Sequence, residues 1–438
     1  MTDSIAFALL LLTTSQLTIR PAAFNPALGA VPFFQIFIVL SLILSVPGVL
    51  QQLSGRSVSR NPVTACVLGF FGLFFLSAIV NQGPSDGVST SIEFLKAVIY
   101  YLLIVGSVRD RRRMAIFAGA YVAFITFSVA VALATYYHKV ELPGYEQVAE
   151  FAGYDRVTHK VVLDYRLSGP RASTSGDPND FCLTILPGLF CAAYCVLASG
   201  RLLWRLVGML LTGFLLWGVL MTKSRGGLLG VMAGVTVLCW SRYGTKRAIL
   251  LVALAIGGLL AVAGGRLADI STRSGTGQIR VQIWLLCFQL IKQHPILGVG
   301  PFRISDYSSY VAHNSYLHAY TELGLAGGVL FTGIFFCAAW GLYRLRRSGW
   351  QPSDAVLWRF QPFMLAIVVG SSVSMSALSR AYVIESYTIV GMASAYYRCI
   401  TDDYRDTDIR SDLPLLVRIT AVSLAYLIVV RFQCLSSI

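Results

Sequence analysis

The sequence predicts an all-α polytopic membrane protein, and three observations carry that prediction. Hydrophobic residues make up 56% of the 438-residue chain and charged residues only 13%, about half the ~25% charge of an ordinary soluble domain. Apolar runs of roughly the ~20 residues that a helix needs to cross the hydrocarbon core recur along the chain. Basic residues collect in alternate connections between those runs, as loops facing the cytoplasm do. Membrane-spanning strands would instead show short segments of alternating polarity.

Taken in order, the predicted spans lie at about 5–19, 32–50, 63–80, 92–107, 114–137, 180–198, 203–221, 227–240, 247–264, 323–343, 358–375 and 382–397. The first is short and runs into Arg20-Pro21, so it is tilted, broken or interfacial. A last apolar run at about 413–430 carries Arg418 in its interior. It is either a thirteenth span or an amphipathic surface helix. With the N-terminus in the cytoplasm, the even-numbered connections are basic: Arg56 and Arg60, Arg109 and Arg111 to Arg113, Arg201 and Arg205, Arg242 with Lys246 and Arg247, then Arg344, Arg346 and Arg347. Two long inserts, about 138–179 and 265–322, then fall on the opposite face. The chain reads as a single membrane domain bearing these two ordered inserts, with no internal repeat.

The net charge of +14 needs no nucleic acid, because cytoplasmic loops account for much of it. The nine cysteines form no CxxC pair, so neither a zinc site nor a disulfide framework is predicted. The N-terminus lacks a basic region before its apolar run and reads as a retained span rather than a cleaved signal. No Walker loop, HExxH or GxSxG occurs, and no cofactor or metal is expected.

What does need explaining is the charge on the other face. Lys139, Arg156, Lys160, Arg166, Arg171, Lys223, Arg225, Arg266, Arg273, Arg280, Lys292, Arg303 and Arg380 all fall on segments that are ordinarily poor in Lys and Arg. An anionic ligand at that face is one reason for such a surplus. Arginine suits a diphosphate because its planar fork binds phosphate oxygens in pairs. Arg225, in the Lys223-Ser224-Arg225-Gly226 turn, sits at a membrane boundary; it either marks a site or snorkels to the headgroups. Arg280 and Trp284 stand four apart on an amphipathic helix stopped by His294-Pro295, and Arg280 is either a ligand contact or a solvated surface residue. Arg166 and Arg171 flank the end of the first insert, where Asp177 or Asn179 can cap the next span.

The His313-Asn314-Ser315-Tyr316-Leu317 stretch leads into a helix that runs on through Tyr320 and Leu323. A neutral imidazole there can take a proton from a hydroxyl nucleophile; alternatively it caps the helix. Asn314 adjoins it. His318 and Glu322, four apart on that helix, can pair on one face, which favours a supporting role. Lys96 and Glu93, in the fourth span, are the only hint of charge near the bilayer midplane.

Together, the Gly-Pro-Arg171 to Asp180 run, Ser224-Arg225-Gly226, Arg280-x-x-x-Trp284, His294-Pro-Ile-Leu-Gly-Val-Gly300 and His313-Asn314-x-x-Leu317 with Glu322-x-Gly324 resemble, in kind and order, the O-antigen ligase and polymerase superfamily of bacterial envelope proteins. The resemblance covers roughly 165–330 and implies a GT-C-like membrane fold of about 12 spans. It implies a donor glycan on undecaprenyl diphosphate at the periplasmic face of the inner membrane. Its implied acceptor is lipid A–core oligosaccharide for a ligase, or another lipid-linked glycan for a polymerase. It places the family's essential histidine at His313 and its essential arginines near Arg225 and Arg280. Arg171, Arg303 and Arg166 are further donor candidates, and Ser224, Asn314, Trp284 and His318 supporting ones. The two large inserts suit a ligase that admits a bulky acceptor. A polymerase with the same donor is the alternative, and a lipid-linked glycan transporter is the alternative from another class.

Overall fold

The computed structural model describes residues 2–142, 144–145, 148–154, 161–170, 175–251, 253, 276–347, 354–401 and 411–436. Within them, ten helical segments are long and apolar enough to cross a membrane: Thr2–Ala23, Phe33–Leu53, Pro62–Gln82, Pro84–Ser107, Arg111–Tyr136, Pro178–Ala198, Leu202–Met221, Ser315–Arg347, Ala355–Ala377 and Leu413–Ser436. The protein is an all-α polytopic membrane protein. Two further predicted spans form the helices Arg225–Tyr243 and Ile384–Thr401. The span expected at about 247–264 lies largely outside the described residues. The last apolar run, left open between two readings, is one 24-residue helix of spanning length.

Local chemistry explains where the helices start. Proline occupies the first turn of Pro62–Gln82, Pro84–Ser107 and Pro178–Ala198, where its missing N–H is no loss. Asn61, Asp110 and Asp354 accept backbone N–H groups at their helix N-termini, as such side chains do. At one end of the bundle, Arg113 pairs with Asp3 at 2.7 Å and Arg111 with Asp354 at 3.4 Å.

Small residues govern the closest packing. Gly226, Gly230 and Gly234 recur every four residues along Arg225–Tyr243. A Cβ at Gly230 would lie 2.6 Å from the Gly370 carbonyl, and one at Gly234 only 2.3 Å from Phe190. Such spacing lets helix backbones touch in a membrane, where lipid-like surfaces alone give little drive to associate. Deeper in the bundle, Phe70, Phe74, Phe94 and Tyr382 form an aromatic cluster, with Phe74 4.8 Å from both Phe94 and Tyr382.

The first insert adds a short strand pair to the helical bundle. Val148–Tyr154 and Val161–Arg166 pair antiparallel as β1 and β2, with Val148 opposite Arg166 and an irregularity between Phe151 and Gly153. The hairpin leads directly to a docking point, since Leu167 N–H donates to the Met221 carbonyl at 3.0 Å.

The helix Ser315–Arg347 is broken at Gly324 (φ 71°, ψ −170°), a conformation essentially restricted to glycine. The break frees backbone groups, and the 295–300 loop takes them up. Val299 and Gly300 donate to the carbonyls of Thr321 and Glu322 at 3.1 Å each, and Leu325 N–H donates to Pro295 at 2.8 Å. A Cβ at Gly324 would lie 2.3 Å from the Ile296 carbonyl oxygen. Gly324→Ala is therefore expected to destabilise the fold by at least ~1–3 kcal/mol from backbone strain alone. A thermal unfolding curve in detergent unchanged from wild type would contradict this.

Candidate functional site

The site is assembled at the bundle end that receives β2. Its floor is the three-residue connection between Leu202–Met221 and Arg225–Tyr243. Lys223 there has φ 51°, and Ser224 accepts the Gly227 N–H at 3.1 Å to cap the following helix. This places Arg225 in the first turn, where the helix dipole already favours an anion.

Arg166, at the end of β2, is buried. Its Nε donates to the Thr222 carbonyl at 2.9 Å and its Nη2 to Asn179 Oδ1 at 2.8 Å. Asp177 caps Pro178–Ala198 by accepting the Asn179 N–H at 2.8 Å. Arg166 thus ties the hairpin, the 222–224 connection and this cap together.

On the opposite wall, Arg280 extends half-buried from the helix Thr276–Gln293. Burial lowers its proton affinity, and the neighbouring charges of Arg225 and Arg166 lower it further, against a smaller opposing pull from Asp177. One turn along, Trp284 Nε1 donates to the Ala312 carbonyl at 2.8 Å, pinning the chain just before His313. His313 itself has φ 46°, a left-handed conformation uncommon outside glycine and often retained at functional sites. Its pKa is depressed, first by burial and then by Arg280, while Asp177 pulls the other way. Asn314 fixes the next turn: its Oδ1 accepts the Leu317 N–H at 3.1 Å and its Nδ2 donates to the Tyr426 hydroxyl at 2.8 Å.

Among the described residues, the side chains of Arg225, Arg280 and His313 have no hydrogen-bond or ion-pair partner, whereas Arg166 is engaged. Half-buried cations whose neighbouring positive charges lower the proton affinity of Arg280 and His313 form an arrangement suited to an anion.

The other sequence candidates are distributed as follows. Arg171 lies outside the described residues. Arg303 is engaged on another flank, donating to the Asn81 carbonyl at 2.8 Å and pairing with Asp306 at 2.7 Å. His318 is buried and meets Glu322 at 3.0 Å. The Glu322 carboxylate also accepts the Phe302 N–H at 2.8 Å and the Ile304 N–H at 3.3 Å, so this pair braces the loop after Gly300.

Sequence reasoning did not assign Arg380 to the site. Its guanidinium pairs with the buried carboxylate of Asp180, and its N–H donates to Ser315 Oγ at 2.8 Å. Ser315 Oγ in turn donates to the Leu378 carbonyl at 2.6 Å. The only signal of it in the sequence was Arg380's place in the basic surplus, because Asp180 is 200 positions away.

These features define a polytopic helical membrane protein with a cluster of arginines and a histidine at one end of its bundle. Residues 207–332 match the family model described as O-antigen ligase. The matched segment is similar to that family and includes Arg225, Arg280 and His313; Arg166 and Arg380 lie outside it. The family is one of glycosyltransferase-like enzymes. A search of curated proteins found no match.

Proposed function

We propose that the protein is an O-antigen ligase, transferring a glycan from undecaprenyl diphosphate to lipid A–core oligosaccharide. The observation that carries this reading is the convergence of Arg225 and Arg280, neither in an ion pair among the described residues, on the His313 turn. In this reading the bundle spans the bacterial inner membrane with its N-terminus in the cytoplasm and the arginine site at the periplasmic face. The basic connections around Arg111 and Arg346 support that orientation.

Arg225 and Arg280 hold the diphosphate and stabilise the charge that grows on it as the anomeric C–O bond breaks, an electrostatic role prepared in advance by the fold. The acceptor hydroxyl attacks the same carbon from the opposite side, forming the new C–O bond. Its proton passes to the neutral imidazole of His313. The bond electrons leave with the diphosphate, and the anomeric centre inverts in a single displacement. Arg166 and Arg380 hold the walls in register. The scheme calls on no cofactor, nucleotide or metal. Arg171 and Arg303 remain proposed donor contacts, the latter if it exchanges Asp306 for the ligand.

The test is transfer by purified protein. Wild type mixed with undecaprenyl-diphosphate glycan and rough lipopolysaccharide is expected to produce a ladder on the lipopolysaccharide. Extension of the lipid-linked glycan instead would make the protein a polymerase. Movement of the donor across vesicles without transfer would make it a transporter.

Trp284 offers a finer check. Trp284→Phe keeps an aromatic ring but removes the N–H bond to Ala312, worth about 1 kcal/mol, and so loosens the His313 turn. The transfer rate should fall several-fold while donor affinity stays within about twofold. A matched fall in both would show that Trp284 instead supports the helix carrying Arg280.

A further inference from the structure

The 378–383 connection presents Arg380 to the arginine site, and two residues later it presents Tyr382 to a different cavity. That cavity has a volume of about 610 Å³, within the range of sites that take drug-sized ligands. Its walls are the ends of the first two spans, one face of Pro84–Ser107, and the tip of the loop that follows Gly300.

Two independent features mark it as a binding site. The first is charge. Lys96 and Glu93 lie in a spanning helix, where ionised side chains are costly unless paired or turned to a polar cavity. They pair at 2.6 Å and both line this cavity, as does Arg20 at the end of the first span. The three charges sum to +1, so an anionic group is favoured there. Gln16 and Gln35, also on the walls, supply amides suited to hydroxyl groups.

The second is strain. Phe302 has φ 61°, a marked outlier for a bulky side chain. The conformation is held by Glu322, which accepts the Phe302 N–H, and by Gln82, which donates to the Pro301 carbonyl at 2.7 Å. The ring so positioned is 51% exposed and lines the cavity, standing edge-on to Tyr382 at 5.3 Å. An exposed aromatic face beside amides and cations suits a phosphorylated sugar. The first two spans carry outward apolar residues such as Ile36 and Val39, so the cavity also adjoins a surface suited to acyl chains.

We propose that this cavity seats the phosphorylated saccharide headgroup of the acceptor glycolipid, with Lys96 and Arg20 on phosphate, Glu93 and Gln35 on hydroxyls and Phe302 against a sugar face. The inference rests on the ligase reading above. It places acceptor and donor on opposite sides of the 378–383 connection, at one end of the bundle.

The experiment uses the full chain in nanodiscs. Lys96→Gln and Phe302→Ala are assayed with rough lipopolysaccharide varied at saturating donor, then with donor varied at saturating acceptor. Each variant should raise the acceptor KM roughly tenfold, the scale of one lost charge-assisted contact, and leave the donor KM within about twofold. Phe302→Gly guards against a folding artefact: it relieves the backbone strain, so the unfolding temperature should hold while the acceptor KM still rises. An unchanged acceptor KM, or an equal rise for donor and acceptor, overturns the proposal. A benzophenone side chain at position 35 reads the cavity without turnover. Light-induced attachment to rough lipopolysaccharide supports it; attachment only to phosphatidylglycerol or to the lipid-linked donor overturns it. If wild type transfers glycan but the variants behave like it, this inference alone fails. If wild type transfers nothing, the ligase reading fails, and the cross-link still reports on the cavity.

Discussion

His313→Ala should lower glycan transfer by at least ~100-fold, the usual contribution of a positioned general base, while donor binding persists. The pH profile gives an independent signature. Burial and Arg280 both disfavour the protonated imidazole, so its pKa lies below the ordinary 6.5. The neutral, proton-accepting form then predominates down to pH values below 6.5, and activity falls only as pH drops through the depressed pKa. Arg280→Gln removes one of the two depressing influences, so whatever activity remains should lose its acid side at a higher pH than wild type. A pH–rate profile of both proteins checks this. Full activity in a folded His313→Ala protein would sink the general-base role and leave the arginine site standing.

Arg280→Ala is expected to have the second large effect, on donor affinity. A hydrogen bond to a charged group is worth ~1.5–3 kcal/mol, so affinity for undecaprenyl diphosphate should fall by roughly 10- to 150-fold. Arg225→Ala should behave alike. Arg280→Lys should recover little, because a point charge does not reproduce the planar fork. The empty protein should respond in the opposite sense. Arg280 is crowded by Arg225 and Arg166, so its removal relieves like-charge repulsion and the unfolding temperature should hold or rise. Wild type should gain stability on adding the lipid diphosphate, as any protein does whose native state alone binds a ligand, and the variant should not. Thermal unfolding with and without undecaprenyl diphosphate measures both. A variant that loses stability when empty yet still gains it from the lipid would assign Arg280 to structure instead.

The two arginine types show where sequence reading stops. By charge and face alone, Arg166 and Arg280 were both candidates for a ligand contact, and only the family resemblance put Arg280 ahead. Tertiary contacts separate them. Arg166 is consumed by the Thr222 carbonyl and Asn179, whereas Arg280 meets only other cations and a smaller influence from Asp177. Arg303 likewise looked available until the fold brought Asn81 to it from 222 positions away. The His318–Glu322 pair was legible because four residues make one helical turn. Its use, bracing the backbone of Phe302 and Ile304, was not.

What the sequence determined by itself is what local physics encodes. Helix formation and membrane residence follow from apolar run length, and helix starts from their prolines and capping side chains. The ordered Ser224-Arg225, Arg280-Trp284 and His313-Asn314 motifs were readable for the same reason, since each sits within one or two turns of its own helix. Only the tertiary structure decided that the β1–β2 hairpin delivers Arg166 to the 222–224 connection, that Arg380 answers Asp180, and that Tyr426 of the last helix holds Asn314. Each of these joins residues far apart in the chain. The free energy of such a pairing depends on burial and geometry set by every intervening helix, and no neighbouring residue records it.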